Sequence, residues 1–115
     1  ELVARLRLVQ TMNMQEGEAR CTQLVLEAGR FGHLTRASCA PAPISGWSAD
    51  EQTRGRLVQA SGNLQLSPQG AFYFDRHSGR PLAAGCAAGC ELVVSDGRES
   101  ARLRIESEGY VHAIP

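Results

Sequence analysis

The chain has 115 residues, a length that suffices for one domain and excludes two domains of ordinary size. Its hydrophobic content of 43% and charged content of 21% exclude an intrinsically disordered chain. Twelve arginines balance twelve acidic residues, so no net charge draws the domain onto nucleic acid or an anionic membrane.

The first 16 residues predict an amphipathic helix. Its apolar side chains recur close to the helical period of 3.6 residues, at Leu2, Val3, Leu6, Val9 and Met12. Gly17 suits the left-handed conformation that ends many helices. No capping residue starts the helix at Glu1, so we expect it to continue a longer helix that lies upstream. The given sequence contains no run of about 20 apolar residues, the length of a membrane span.

After Gly17 the apolar period changes from 3.6 to 2, which predicts half-buried strands. Alternating runs occupy residues 21–27, 30–35, 56–60, 63–67, 71–75, 90–95, 101–106 and 109–113. The clearest local prediction is a hairpin at Asp96-Gly97, between two regular alternating runs. One helix followed by about seven short strands predicts a single α+β domain over residues 1–115, β-rich from residue 20. We expect the helix to cover one face of an antiparallel sheet.

Residues 38–55 lack any period and predict a long loop. A helical turn is expected near residues 48–51, where Ser48 can cap it. Trp47 has two interpretations: it fills part of the core, or it anchors a ligand or partner, as exposed tryptophans often do. Residues 80–90 predict a second loop.

Four cysteines, Cys21, Cys39, Cys86 and Cys90, predict two disulfides formed in an oxidising compartment. Three pairings are possible, and we favour a tight Cys86–Cys90 loop, which leaves Cys21 to pair with Cys39. Free thiols and a metal site are the alternatives. Zinc requires closer cysteine pairs or nearby histidines, and the three histidines are scattered, so we predict neither a metal nor a cofactor.

Three segments share a pattern with a known family: LVARLRLVQTMNMQ at 2–15, FYFDRHSGRP at 72–81 and ARLRIESEGYVHAIP at 101–115. Together they resemble type IV pilins, and among these the minor pilins of the mannose-sensitive haemagglutinin pilus. The resemblance to H-type pseudopilins of type II secretion is more distant.

Two short motifs carry most of this resemblance. In these families a strand runs into a turn written roughly Phe-Asp-x-x-Gly-Arg-Pro, matched with one extra residue by Phe74, Asp75, Gly79, Arg80 and Pro81. A final strand pair carries a Gly-Tyr-Val step, matched by Gly109, Tyr110 and Val111. The family's hydrophobic N-terminal segment is missing from the given sequence.

The resemblance implies a structural minor pilin that contributes to pilus assembly and surface adhesion, and not an enzyme. Its partners would be other pilin subunits, the assembly machinery and, through an upstream transmembrane helix, the bacterial inner membrane. It would lie in the inner membrane and periplasm before assembly and in the extracellular pilus afterwards. The alternatives are a pseudopilin of type II secretion and a secreted, disulfide-bonded module that binds a glycan or DNA.

Arginines supply the candidate binding residues. Arg98, Arg102 and Arg104 lie in one hairpin, and Arg102 and Arg104 share a strand parity that places them on one face. A row of arginines on one face can bind the phosphates of DNA. The glutamates interleaved with these arginines instead favour a sheet face that contacts only solvent. On the helix, Arg5 and Arg7 are expected either to meet acidic neighbours in a filament or to be solvated.

The cluster Asp75, His77 and Ser78 combines residue types that occur in catalytic sites. All three crowd into one turn, whereas a nucleophile and its base come from separate facing elements. We therefore predict that Asp75 stabilises the turn through hydrogen bonds to its backbone. Its position relative to Glu91 and Asp96 lacks the regular spacing of a calcium site.

Overall fold

The computed structural model describes residues 2–15, 20–59, 65–82 and 85–114. The helices are α1 (Leu2–Gln15) and α2 (Ala49–Arg54), with one 3₁₀ turn at Ile44–Gly46. The strands are β1 (Cys21–Leu26), β2 (Arg30–Arg36), β3 (Val58–Gln59), β4 (Gln65–Ser67), β5 (Gly70–Phe72), β6 (Cys90–Ser95), β7 (Ser100–Ile105) and β8 (Val111–Ile114). The predicted α+β class is confirmed. Glu1, Glu16, the Gly17 cap and the ends of two predicted strands lie outside the described residues.

The strands form two antiparallel sheets. Sheet A has the order β3-β2-β1-β5, and sheet B has the order β4-β6-β7-β8. The chain crosses from sheet B to sheet A between β4 and β5, because β4 pairs with β6 whereas β5 pairs with β1. The predicted hairpin is present, with Ser95 opposite Ser100 and the Asp96 amide donating to the Glu99 carbonyl at 3.1 Å.

Three strands are shorter than their sequence patterns. The run 56–60 yields only β3, because Arg56 and Leu57 turn back onto α2, where the Leu57 amide donates to the Gln52 carbonyl. The run 71–75 ends at Phe72 as a strand, and Phe74 then forms an isolated bridge with Pro81. The run 109–113 begins as a strand only at Val111, because Gly109 belongs to the preceding turn.

Helix α1 packs against both sheets. Its buried residues are Leu2, Arg5, Leu6, Val9 and Asn13, a spacing that follows one face of a helix. The main core joins them to Leu24 and Leu26 of sheet A and to Leu92, Leu103 and Ile105 of sheet B. The predicted stripe did not include Arg5 and Asn13, which occupy buried positions. Of the predicted residues, Val3 and Met12 are half-buried, and Val3 packs against the main core.

Strand β1 is covered on both faces. All six of its residues are buried, which corrects the predicted half-buried alternation. Leu24 and Leu26 face the main core, whereas Val25 faces a second core cluster that contains Ile44 and Trp47. The segment 38–55 therefore folds over the outer side of sheet A instead of presenting its whole length to solvent. Neither helix of the described residues is long and apolar enough to cross a membrane.

The predicted Ser48 cap is confirmed. The Ser48 hydroxyl accepts a hydrogen bond from the Glu51 amide at 3.1 Å, and the Glu51 carboxylate accepts one from the Ser48 amide at 2.9 Å. Such a reciprocal pair satisfies two backbone donors that a helix start would otherwise leave open. It fixes where α2 begins and thereby sets the position of Gly55 at its other end.

Both predicted disulfides are present, with the favoured pairing. Cys21–Cys39 joins β1 to the start of the long segment, across 18 residues of sequence. Cys86–Cys90 closes a loop with a separation of 4, and the Cys86 side chain lies within the main core. Each bridge therefore holds an irregular segment against a sheet.

Removing the two disulfides separately is expected to destabilise the protein unequally. Loop-closure entropy predicts a loss of about 3 kcal/mol for Cys21→Ser with Cys39→Ser and about 2 kcal/mol for Cys86→Ser with Cys90→Ser. Urea unfolding of the two double variants measures the difference. A larger loss for the shorter loop would show that core packing at Cys86, and not chain entropy, dominates.

Candidate interaction surface

The first motif turn, residues 75–79, is organised by the Asp75 carboxylate. Its Oδ2 accepts from the Ser78 amide at 2.7 Å, the Ser78 hydroxyl at 3.0 Å and the His77 amide at 3.0 Å. These bonds, the Ser78 amide foremost, hold the pKa of Asp75 below its ordinary value. The predicted turn-forming role of Asp75 is confirmed.

The second motif turn, residues 106–110, precedes β8. The Glu106 amide donates to the Tyr110 carbonyl at 2.8 Å, and the Gly109 amide donates to the Glu106 carbonyl at 2.9 Å. Gly109 has a φ of 106°, a value that side-chain-bearing residues rarely adopt. The glycine of this motif is therefore required by the backbone conformation of the turn.

Gln10 of α1 joins the two motif turns. Its Nε2 donates to the Gly79 carbonyl and to the Gly109 carbonyl, each at 2.8 Å. The turns lie so close that a Cβ on Gly109 would stand 2.3 Å from the Gly79 oxygen. Two motifs that are 30 positions apart in sequence (79 and 109) thus form one site against the helix. We call these residues, Gln10, Gly79 and Gly109, the glycine clamp.

The two arginines of α1 bind backbone carbonyls of their own chain. Arg5 is only 6% exposed, and its Nη1 donates to the carbonyls of Gly55 at 3.1 Å and Arg56 at 3.0 Å. Its guanidinium also lies over the Phe31 ring, 5.4 Å from the centroid. Arg7 donates through Nε and Nη2 to the Val111 carbonyl at 3.1 and 2.7 Å.

The solvated expectation is therefore corrected for Arg5, which is buried, whereas Arg7 is exposed and also binds a carbonyl of its own chain. Arg5 is neither solvated nor directed to a neighbour, because the end of α2 presents carbonyls that need donors. The Arg7 guanidinium is likewise engaged at β8, although the residue as a whole is exposed. Arg5 and Arg7 are the only charged residues in Leu2–Gln15, and both guanidinium groups bind carbonyls of their own chain.

The solvent side of α1 therefore carries a single charge, that of Arg7, whose guanidinium binds the Val111 carbonyl. Its exposed residues other than Arg7 are Ala4, Leu8, Thr11, Met14 and Gln15, which we call the outer helix face. Leu8 is 39% exposed and Met14 is 48% exposed, and the Thr11 hydroxyl donates back to the Arg7 carbonyl at 3.0 Å. A helix surface with one charged residue among six exposed ones is depleted in charge, as the cores of protein interfaces are.

Trp47 lies in the second core cluster. It is 5% exposed, and its indole nitrogen donates to the Ala42 carbonyl at 2.9 Å. The side chain packs there with Ile44, on the outer side of β1. Burial leaves too little of the ring for a ligand to contact, so the core interpretation fits its position and the anchor interpretation does not.

Arg102 and Arg104 share the outer side of sheet B, opposite the buried Leu103 and Ile105. Arg102 lies 3.8 Å from the Glu91 carboxylate, and Arg104 lies 3.0 Å from that of Glu106. Each arginine of this row is thus paired with a carboxylate.

Glu106 also accepts from His112. The two side chains meet at 2.8 Å, and the His112 ring stacks against Tyr110 with centroids 4.7 Å apart. The hydrogen bond from His112, followed by that from Arg104, lowers the pKa of Glu106. Arg98 lies apart from this group in the 96–99 turn, where its amide donates to Asp96 at 2.9 Å.

Among the described residues, no group of three or more His, Cys, Asp or Glu side chains is arranged to hold a metal ion. The Asp75 carboxylate is occupied by its own turn.

Comparison with known proteins returns no match: no family model, no curated protein and no solved structure is similar to this chain. The pilin resemblance therefore stays a prediction.

Sequence reasoning missed the residues that hold the helix in place. Arg5 was expected to meet a filament neighbour or solvent, and Gln10 had no predicted partner, because the acceptors of both lie more than 40 residues away in sequence. A weak signal was present in the motifs themselves. Each carries a glycine at a turn, which indicates a close backbone approach.

Proposed function

We propose that this chain is the head of a pilin-like structural subunit, most similar in role to a minor pilin, whose outer helix face packs against neighbouring subunits. The observation that carries the proposal is the scarcity of charge on the solvent side of α1, where Arg7 is the one charged residue. In Leu2–Gln15 the two guanidinium groups bind the subunit's own carbonyls, whereas Leu8 and Met14 remain exposed.

Rigid attachment of α1 supports the same proposal. The helix packs into the main core and donates side-chain hydrogen bonds to α2's end, to both motif turns and to β8. A helix held in this way transmits force to the whole head and presents a fixed surface to its neighbours. Both disulfides add to this rigidity in an oxidising compartment.

Leu8→Glu in the full-length protein is expected to reduce incorporation into filaments at least tenfold, because it buries an unpaired carboxylate at the proposed interface. The measurement compares the subunit content of sheared filaments with that of whole cells, in the bacterium that carries the gene. Stability should change little, because Leu8 is partly exposed already.

Leu82→Glu is the matched control. Leu82 is 50% exposed but lies outside α1, so its substitution should leave incorporation near the unsubstituted level. Equal incorporation of both variants would contradict the proposal. So would a Leu8→Glu head that unfolds at a lower urea concentration, since the defect would then be one of folding.

A pseudopilin of type II secretion would use the same face, and a secretion assay in place of filament counting separates the two. A secreted glycan- or DNA-binding module would instead use the loops or the outer side of sheet B. For such a module Leu8→Glu would be silent, and Arg102→Gln with Arg104→Gln would abolish function.

A further inference from the structure

A cavity of about 310 Å³ lies between α1, β2 and the end of α2. Its lining residues are Met12, Arg20, His33, Leu34, Thr35, Glu51, Arg54 and Gly55. A water molecule occupies about 30 Å³ in the liquid, so the cavity has room for a molecule much larger than an inorganic anion. Its size falls at the lower end of the range of small-molecule sites.

His33 lines this cavity and is only 8% exposed. Its Nδ1 has no hydrogen-bond partner within the described part of the chain. Buried polar atoms are almost always satisfied, so a buried imidazole nitrogen without a partner calls for an explanation. Its backbone is fixed by the amide, which donates to the Gly55 carbonyl at 3.1 Å.

Several neighbouring elements place charged side chains near His33. Arg5 of α1 and Arg56 after α2 lie close enough to act on the imidazole, and burial, followed by these two arginines, lowers the pKa of His33. Arg20 and Arg54 line the cavity from the chain before β1 and from α2.

Glu51 is the single acidic residue that lines the cavity, and it is already engaged. Its carboxylate accepts from Arg36 at 3.1 and 3.2 Å and from the Ser48 amide at 2.9 Å. Arg54 likewise pairs with Asp50 of its own helix, so Arg20 supplies the positive excess among the lining residues, which favours an anionic ligand.

We propose that the cavity binds a small organic carboxylate of the size of an acidic monosaccharide. Arg20 and Arg54 face its carboxylate, and His33 and Thr35 contact its hydroxyl groups. Guanidinium groups suit the carboxylate, whereas a neutral imidazole and a hydroxyl both donate and accept hydrogen bonds. The proposal does not depend on filament assembly, because the cavity lies on the side of α1 that faces β2 and α2.

The test is an NMR titration of the folded chain with glucuronate, with glucose as the neutral control. We expect saturable shifts at His33, Thr35 and Gly55 with glucuronate and none with glucose. A bound carboxylate favours the protonated imidazole, so the pKa of His33, followed through its ring resonances, should rise at saturation.

Arg20→Gln should weaken glucuronate binding about tenfold, the effect of losing one charge-assisted hydrogen bond. Arg98→Gln removes an equal charge from the distant 96–99 turn and should leave the affinity unchanged. Both side chains are exposed, so neither variant should impair folding. An equal response to glucose, equal weakening by both variants or the absence of saturable shifts would overturn the proposal.

Discussion

Gly109→Ala is expected to lower the free energy of unfolding by about 4 kcal/mol, since backbone strain and overpacking each cost about 2 kcal/mol. The strain arises because Gly109 has a φ of 106°. The overpacking arises because a Cβ there would stand 2.3 Å from the Gly79 oxygen, which is backbone and cannot turn aside. Guanidinium chloride unfolding with the disulfides intact measures the loss.

Gly97→Ala is the matched control for this prediction. Gly97 has a similar φ of 92°, but a Cβ at this position would meet nothing within 4 Å. It should therefore show the strain alone, about 1–2 kcal/mol. If the two alanine variants lose the same stability, the two motif turns do not touch as described, and the glycine clamp is not a unit.

The clamp also predicts a coupling between the helix and the turns. Gln10→Met removes the two hydrogen bonds to Gly79 and Gly109. Once Gly109→Ala has displaced the turn, these bonds are already broken, so the double variant should lose less than the sum of the single variants. Strict additivity would indicate that Gln10 and Gly109 act independently.

Arg5→Met is expected to lower the free energy of unfolding by about 4 kcal/mol, because two charge-assisted hydrogen bonds of about 2 kcal/mol each are lost. Methionine keeps most of the apolar stem and packs in the same space. The Arg56 carbonyl then loses the Arg5 donor, and the Gly55 carbonyl keeps only the His33 amide. The Phe31 ring loses its cation as well.

Arg7→Met is the control, since it removes the same charge from the same helix. The Arg7 residue is exposed, and water can replace it at the Val111 carbonyl, so the loss should be about 1 kcal/mol. Urea midpoints of the two variants provide the comparison. Equal losses would show that the buried position of Arg5 contributes nothing beyond its charge.

Local structure was predictable because local patterns cause it. The period of 3.6 residues in α1, the alternation in β6 and β7 and the turn at Asp96-Gly97 all lie within short windows of sequence. The Ser48 cap and the Asp75 turn likewise depend on residues no more than three positions away. Their chemistry is complete before any long-range contact forms.

Long-range partners were not predictable from the same patterns. The alternation of apolar and polar residues in a strand predicts which side chains share a face of the sheet. It does not predict which elements pack against either face. Strand β1 is therefore buried on both sides, by the main core and by the segment that carries Trp47, although its pattern was assigned to a half-buried strand. The division into two sheets follows from the pairing of β4 and β5 with different strands, which no single window of sequence contains.

The candidate sites likewise combine features that the sequence predicts with contacts that only the folded chain creates. By itself the sequence indicated the α+β class, two disulfides with a preferred pairing and the glycines of the motif turns, because these depend on composition, spacing and local conformation. Only the tertiary structure decided that Gly79 and Gly109 meet at Gln10, that Arg5 is buried and that Arg7 binds the Val111 carbonyl. Those facts depend on which backbone carbonyls lack a donor after the chain has folded, and distant elements supply the carbonyls and the donors separately.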